Sequence, residues 1–248
     1  MRPTTLTLAA AALLLLATPA TSAEEPFDDA EIFFELNNTD GDLGIHASID
    51  GEPWRDLEIE NHRERMNLKI RAFGRMRRQG LTQLDFESAE PPFSELDPAA
   101  FFRRFPEGIW EISGTTIEGD ELESEVLVSH VMAAPPANVT LSGVAAAPDC
   151  DADPLPAVGT PVVISWDPVT TSHPTIGKTG PVEVVRYQLV VEREEPTPLS
   201  ISIELPPDVT SFEIPEDFTD LGEEFKFEIL VREATGNQTA IESCFELE

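Results

Sequence analysis

Residues 161–168 read Pro-Val-Val-Ile-Ser-Trp-Asp-Pro, and this stretch decides the fold of the C-terminal half. Val162, Ile164 and Trp166 occupy alternate positions, so one face of a β-strand is apolar. Pro168 ends the strand because proline has no N–H to give to a β-ladder. The same alternation returns after each Pro- or Gly-rich turn of this half, which is typical of a β-sandwich.

Six further segments of the C-terminal half show this period of two. They predict strands around 139–141, 185–191, 201–205, 212–214, 225–231 and 241–247. Together with 161–168 they make seven short strands, which is the usual number for an immunoglobulin-type sandwich.

The order of these strands resembles a fibronectin type III domain. Trp166 matches the core tryptophan of that family, and Tyr187 matches the core tyrosine on the following strand. Residues 225–229, Phe-Lys-Phe-Glu-Ile, match the Tyr-x-Phe-x-Val of the sixth strand, and 234–237 resemble the turn after it. The resemblance implies a rigid spacer or binding platform rather than an enzyme.

The N-terminal half is also predicted to be β-structure, interrupted by one short helix over 99–105 that begins at Pro98. The Phe-Pro-x-Gly-x-aromatic stretch at 105–110 resembles the entry to the sixth strand of an immunoglobulin-like domain of uncharacterised exported bacterial proteins. The predicted fold class is therefore all-β: two tandem immunoglobulin-like/fibronectin type III β-sandwiches. Amphipathic strands are expected around 32–36, 43–49, 57–59, 66–72, 84–86, 109–112 and 126–130.

Residues 1–23 have the pattern of a secretory signal peptide. Arg2 precedes an apolar run of about 12 residues, shorter than the roughly 20 that span a membrane, and Thr21-Ser-Ala23 forms a small-residue cleavage site. We expect an exported protein, periplasmic or secreted, with no transmembrane segment in the mature chain. The expected domain bounds are 24–132 for the first sandwich, 133–138 for a Pro-rich linker and 139–248 for the second.

The chain is strongly acidic, with 47 Asp and Glu against 16 Lys and Arg, a formal net charge of −31. This charge repels a phosphate backbone, so we expect no nucleic acid and instead a protein or glycan partner at the cell envelope. The sequence has no Gly-x-Ser-x-Gly, His-Glu-x-x-His or glycine-rich phosphate loop, so we expect a non-catalytic protein with a binding or scaffolding surface. The alternative is a protein that acts on carbohydrate through an unrecognised site.

Cys150 and Cys244 are the only two cysteines. In an oxidising compartment such a pair favours a disulfide over two free thiols. The bond would close a loop of about 95 residues, which chain entropy values at roughly 4–5 kcal/mol as an upper estimate.

Asn38, Asp40 and Asp42 stand at alternate positions of a turn that also contains Gly41. Three oxygen ligands on a tight turn form part of a weak calcium site, the one cofactor that the sequence indicates. An ordinary hairpin turn, which favours the same residue types, is the alternative. An EF-hand is excluded, because Leu43 stands where that loop needs glycine.

Seven of the 16 Lys and Arg residues lie within 63–78. On so acidic a chain, this local reversal of sign predicts a surface for an anionic glycan, a lipid phosphate or an acidic partner. The alternative is that these side chains pair with acids on adjacent strands or protect an edge strand. The predicted basic patch consists of Lys69, Arg71, Arg75, Arg77 and Arg78.

Overall fold

The computed structural model describes residues 25–248, and the predicted signal peptide lies outside them. This part of the chain is all-β with three short helices, which confirms the predicted fold class. Across 25–248, no helix is long and apolar enough to cross a membrane.

The first half forms six strands and two short helices. They are β1 (Asp29–Asn37), β2 (Asp42–Asn61), β3 (Arg65–Arg71), α1 (Met76–Gln79), β4 (Leu81–Glu87), α2 (Pro98–Arg104), β5 (Gly108–Thr116) and β6 (Glu121–Val128). The helix predicted over 99–105 is α2, and the Asp97 side chain caps it by accepting from the Ala100 N–H. Arg75 of the predicted basic patch directly precedes α1, which is a single helical turn.

Strand β2 is 20 residues long and replaces two of the predicted strands. The stretch Gly51-Glu-Pro53 has the composition of a turn, but the ladder continues through it by register shifts on either side of Trp54. The first part of β2 pairs with β1 and β4, and the second part with β5 and β3. The bent strand therefore belongs to both layers of the first sandwich.

The second half contains nine strands and one helix. They are β7 (Ala137–Leu141), β8 (Val144–Ala145), β9 (Ala157–Val158), β10 (Val163–Asp167), β11 (Val184–Arg193), β12 (Leu199–Leu205), β13 (Ser211–Glu213), α3 (Glu216–Thr219), β14 (Glu224–Glu233) and β15 (Gln238–Leu247). One layer has the order β13-β10-β7-β8, and the other the order β12-β11-β14-β15. This is the strand order of a fibronectin type III sandwich.

Trp166 and Tyr187 are core residues, as the sequence predicts. Both are buried, and their rings meet edge to face with centroids 5.4 Å apart. The Tyr187 hydroxyl accepts a hydrogen bond from the Val169 N–H, so its polar end is also satisfied.

Each half has its own hydrophobic core. Met132 is the last buried residue of the first core, and Ala133 is the first of the second. The two cores separate between 132 and 133, where the first domain is predicted to end, and the domain bounds 24–132 and 139–248 stay a prediction. The segment between them is no free spacer: the Ala134 N–H donates to Thr171, and the Ala133 carbonyl accepts from the Thr239 hydroxyl.

The two halves share one sheet. β1 pairs in parallel with the beginning of β15, so that eleven strands from both halves are joined by continuous hydrogen bonding. The turn after β1 adds to this junction, since the Asn38 N–H donates to Ala240 and the Glu242 N–H donates to the Thr39 hydroxyl. The first and second sandwiches therefore meet along a backbone ladder rather than through a flexible linker.

Asn237 closes the end of this junction. Its side chain is 1% exposed, and its Oδ1 accepts from the Phe34 N–H at 2.9 Å. Its Nδ2 donates to the carbonyls of Ser129 and Val131, each at 2.9 Å. One amide thus serves three backbone groups of the first half from a turn of the second.

The predicted disulfide is present. Cys150 lies between β8 and β9, Cys244 lies on β15, and the bond joins residues separated by 94 positions. We predict that replacing both cysteines by alanine lowers the free energy of unfolding by about 2–5 kcal/mol, because the unfolded chain regains loop entropy. Urea unfolding of the two proteins at equal concentration measures this difference, and equal midpoints and slopes would contradict it.

We also predict that Asn237→Ala destabilises the protein by about 2–4 kcal/mol, since it leaves three buried backbone groups without partners. Asn237→Asp should keep the bond to Phe34 but lose both donated bonds. Asn67→Ala, at an exposed position on β3, serves as the matched control. Chemical denaturation measures all three variants; a loss as small as that of Asn67→Ala would show that the amide does not hold the halves together.

Candidate functional site

An apolar cleft of about 370 Å³ opens into the first sandwich between β3 and β4. Its floor is the buried core, and its walls are half-buried side chains that project inward from the two strands. Asn67 supplies the polar part of the lining. The apolar lining consists of Ile32, Ile45, Ile59, Leu68, Ile70, Leu84, Phe86, Phe105 and Trp110.

The cleft exists because β3 and β4 both pair with the same edge of β2 and not with each other. At Trp54, β2 pairs with β4 on one side and with β5 on the other; farther along, β3 takes the place of β4. On the opposite side of the sandwich β1 and β6 contact each other and close the layers together. The layers are therefore sealed on one side and open on the other.

The structure divides the predicted basic patch into two groups. Lys69 pairs with Glu58, Arg71 with Asp56 at 2.6 Å, and Arg77 approaches Asp56 at 3.7 Å. These three side chains therefore form ion pairs with acids of the neighbouring strand β2, which was the alternative to a binding surface. Arg75 and Arg78 have no carboxylate partner within the described part of the chain, and both lie in the segment that joins β3 to β4.

The segment from β3 to β4 also exposes apolar side chains. Phe73 is 74% exposed and Met76 is 46% exposed. The connection between the two walls of the cleft therefore combines unpaired positive charge with exposed hydrocarbon, which is the composition of a surface for an amphipathic anion.

The three predicted calcium ligands have different partners. His173 Nδ1 accepts from two backbone N–H groups, so its proton is on Nε2, which donates to the Asn38 Oδ1 at 3.1 Å. The Asp40 carboxylate accepts from the Asn37 amide at 3.3 Å. Calcium at this turn remains a prediction, and Asn38 Oδ1 would have to bind it while also accepting from His173.

Asp42 faces a different group of side chains. Asp42, Gly44 and His46 follow one another on the same face of β2, and Glu87 stands opposite His46 on β4. Glu90, in the loop after β4, lies across Gly44, and His46 Nε2 is 3.1 Å from its Oε1. We call Asp42, His46, Glu87 and Glu90 the carboxylate–histidine cluster.

Burial dominates the titration of this region. Burial, together with the negative charges of Glu90 and Asp40, raises the pKa of Asp42 to about 6. Burial also raises the pKa of Glu35, which stands opposite Gly44, although the charge of His46 acts in the other direction. Burial alone would lower the pKa of His46, but its hydrogen bond to Glu90 and the charge of Glu35 outweigh this and raise it.

Comparison with known proteins shows no matching family model and no matching curated protein. Among solved structures, this chain is 10% identical to a 1.5-MDa bacterial ice-binding adhesin (TM-score 0.24, covering 91% of this chain and 66% of that one). It is 11% identical to a tetra-tandem repeat from the extending region of a large adhesion protein (TM-score 0.28, covering 89% and 50%). A two-domain fibronectin type III segment of chicken tenascin is 11% identical (TM-score 0.27, covering 88% and 97%).

The chain therefore spans less than two thirds of either adhesin chain. At these identities and scores the similarities carry no argument about function, and the fold of each half rests on its own strand order.

Sequence reasoning missed both the apolar cleft and the carboxylate–histidine cluster. The inward residues of β3 and β4 look like ordinary core positions in the sequence. An alternation of period two does not show whether a neighbouring strand covers the inward face. The signal for the cluster was present in part: His46 lies at an alternate position after Asp42. Its partners, more than 40 residues away, are two of 47 acids and cannot be singled out by spacing.

Glu228 on β14 makes the stability of the protein depend on pH. Burial, with the charges of Glu35 and Glu242, raises the pKa of Glu228 to about 7. The folded state therefore holds a proton that the unfolded state releases between about pH 4.5 and pH 7, so stability is lost as pH rises through this window.

We predict that Glu228→Gln is more stable than the native chain at about pH 8 and that this advantage shrinks at about pH 5. Urea unfolding at both pH values measures it, with the exposed Glu213→Gln as control; an equal effect at both pH values would contradict it.

Proposed function

We propose that the protein is an exported, non-catalytic binding protein whose first sandwich takes the apolar part of a small amphipathic anion into the cleft between β3 and β4. The observation that carries this proposal is the cleft itself, which reaches fully buried core residues such as Ile59 and Trp110 from an open side of the sandwich. Its volume of about 370 Å³ lies in the range of small-molecule sites.

The lining defines the class of ligand. Nearly all of it is hydrocarbon, so a hydrocarbon chain or ring system gains about 0.8 kcal/mol for each methylene that it buries there. The lining offers an amide, Asn67, and no acid, base or nucleophile, so we propose binding without a chemical step.

The charge in the connection between β3 and β4 favours an acidic head group. Arg75 and Arg78 lie in the segment that connects the two walls, and their guanidinium groups are free to pair with a carboxylate or phosphate. The chain as a whole is acidic, so an anionic head group needs a local group of positive charges, and this short segment provides one.

Two further features support an exported, rigid protein. The disulfide between Cys150 and Cys244 is the kind of bond that persists in an oxidising compartment. The ladder from β1 to β15 fixes the second sandwich against the first, so the second serves as a scaffold that holds the cleft at a set orientation. A protein or glycan partner at the cell envelope stays a prediction for the remaining surface.

We predict that a fluorescent long-chain fatty acid binds the mature protein in a saturable manner and that Leu84→Trp weakens this binding at least about tenfold by filling the cleft. Gln83→Trp, which adds the same ring to the exposed face of β4, is the matched control and should bind like the native protein. Fluorescence titration measures the dissociation constants, and circular dichroism checks that both variants are folded. Leu68→Phe tests the opposite wall if Leu84→Trp unfolds.

A long-chain alcohol provides the test of the head group. Replacing Arg75 and Arg78 together by alanine should weaken binding of the fatty acid but not binding of the alcohol. The control replaces Lys178 and Arg186 by alanine, which removes two positive charges from the second half, and it should change the binding of neither ligand. Absence of saturable binding, or equal binding by Leu84→Trp, Leu68→Phe and the native chain, would overturn the proposed function.

A further inference from the structure

The carboxylate–histidine cluster has the composition of a metal site. It offers one imidazole nitrogen from His46 and carboxylate oxygens from Glu87 and Glu90, and these ligand atoms lie within 4.8 Å of one another. An imidazole together with carboxylates favours a divalent first-row transition ion over Ca²⁺ or Mg²⁺, which prefer oxygen ligands alone.

The distances fit a shared ion. Two ligand atoms at about 2.0–2.1 Å from one Zn²⁺ lie about 2.8–3.4 Å apart for angles between square and tetrahedral. His46 Nε2 and Glu90 Oε1 are 3.1 Å apart, so an ion can replace the proton between them with little movement of either side chain.

A simple ion pair between His46 and Glu90 leaves one polar atom unexplained. Oδ1 of Asp42 is buried and has no hydrogen-bond partner among the described residues. It lies on the same face of β2, and the charge of Glu90 acts on it. A buried carboxylate oxygen without a partner costs free energy, and a cation bound beside Glu90 would lower this cost through electrostatic attraction.

The backbone is arranged to admit Glu90. A Cβ atom added at Gly44 would lie 1.8 Å from Glu90 Oε1, so the absence of a side chain at this position lets the carboxylate lie between Asp42 and His46. On the other side, the ring of His46 stacks on Phe33 with centroids 5.2 Å apart, which fixes its orientation.

We propose that His46, Glu87 and Glu90 bind one divalent transition-metal ion of the Zn²⁺ class. His46 Nε2 and Glu90 are its central ligands, and Glu87 reaches it from the end of β4. The ion would join β2, β4 and the loop that follows β4. The site does not depend on a ligand in the apolar cleft.

The experiment uses untagged mature protein with its disulfide intact, freed of metal by a chelator and dialysed into buffer of physiological salt. Isothermal titration with Zn²⁺ should give one ion per chain, and Co²⁺ should develop visible absorption bands that Zn²⁺ displaces. Ca²⁺ in large excess should leave the Zn²⁺ isotherm unchanged.

Two variants test the ligands. His46→Gln and Glu87→Gln should each weaken Zn²⁺ binding at least about tenfold. Glu87 is exposed, so its variant remains informative if His46→Gln disturbs the stack on Phe33. The controls are His62→Gln, in the turn after β2, and Glu60→Gln, on the same strand.

Several results would overturn the proposal. They are the absence of a one-to-one isotherm, equal binding by the native chain, His46→Gln and Glu87→Gln, or a loss of binding in His62→Gln as large as that in His46→Gln. Binding of Ca²⁺ that competes with Zn²⁺ and is lost in Asp40→Asn would instead assign the cation to the turn after β1.

Discussion

The parallel ladder between β1 and β15 is the constraint on which the rest of this structure depends. A ladder of only three residue pairs, Glu35 to Asn37 against Gln238 to Ala240, converts two sandwiches into one sheet. Such a short ladder needs support at its ends, because unpaired backbone groups there would be buried. Asn237 provides that support at one end and the turn at Asn38 and Thr39 at the other. The orientation of the halves is thus set by backbone hydrogen bonds, which tolerate far less variation than a surface contact.

The same junction determines where the first sandwich can open. β1 is held between β2 and β15, and its side of the sandwich is closed by contact with β6. The sandwich can therefore open only at the opposite edge, where β4 and then β3 pair with successive parts of the bent strand β2. Bending β2 at Trp54 separates these two strands because each follows a different part of it. The apolar cleft therefore follows from the topology and from the bend, and filling it requires no change in the junction.

Sequence reasoning predicted what local pattern encodes. Seven of the nine strands of the second half, the helix beginning at Pro98, the core roles of Trp166 and Tyr187 and the disulfide follow from alternation, capping and residue type; the two-residue strands β8 and β9 do not. The continuity of β2 was missed because Gly51 and Pro53 normally mark a turn, whereas here bulges absorb them. The ladder from β1 to β15 was missed for a deeper reason. Parallel pairing between the first and last strands leaves no periodic signal, because the alternation of residues along each strand is the same whether or not the two strands pair.

Electrostatics explains why this junction carries so many acids without separating. Glu35, Glu228 and Glu242 occupy adjacent strands on one face, and their mutual repulsion adds to the cost of burial. Lys226 offsets part of it through an ion pair with Glu242 at 2.6 Å. Protonation of Glu228 near neutral pH removes another part, since a neutral carboxyl neither repels its neighbours nor loses hydration. At the other end of the face, burial acts to lower the pKa of His46, but the hydrogen bond to Glu90 and the charges of Glu35, Glu90 and Glu87 outweigh this and raise it. A divalent ion that replaces the proton between His46 and Glu90 would bring two positive charges to these three carboxylates where an imidazolium brings one, and so would reduce their mutual repulsion further.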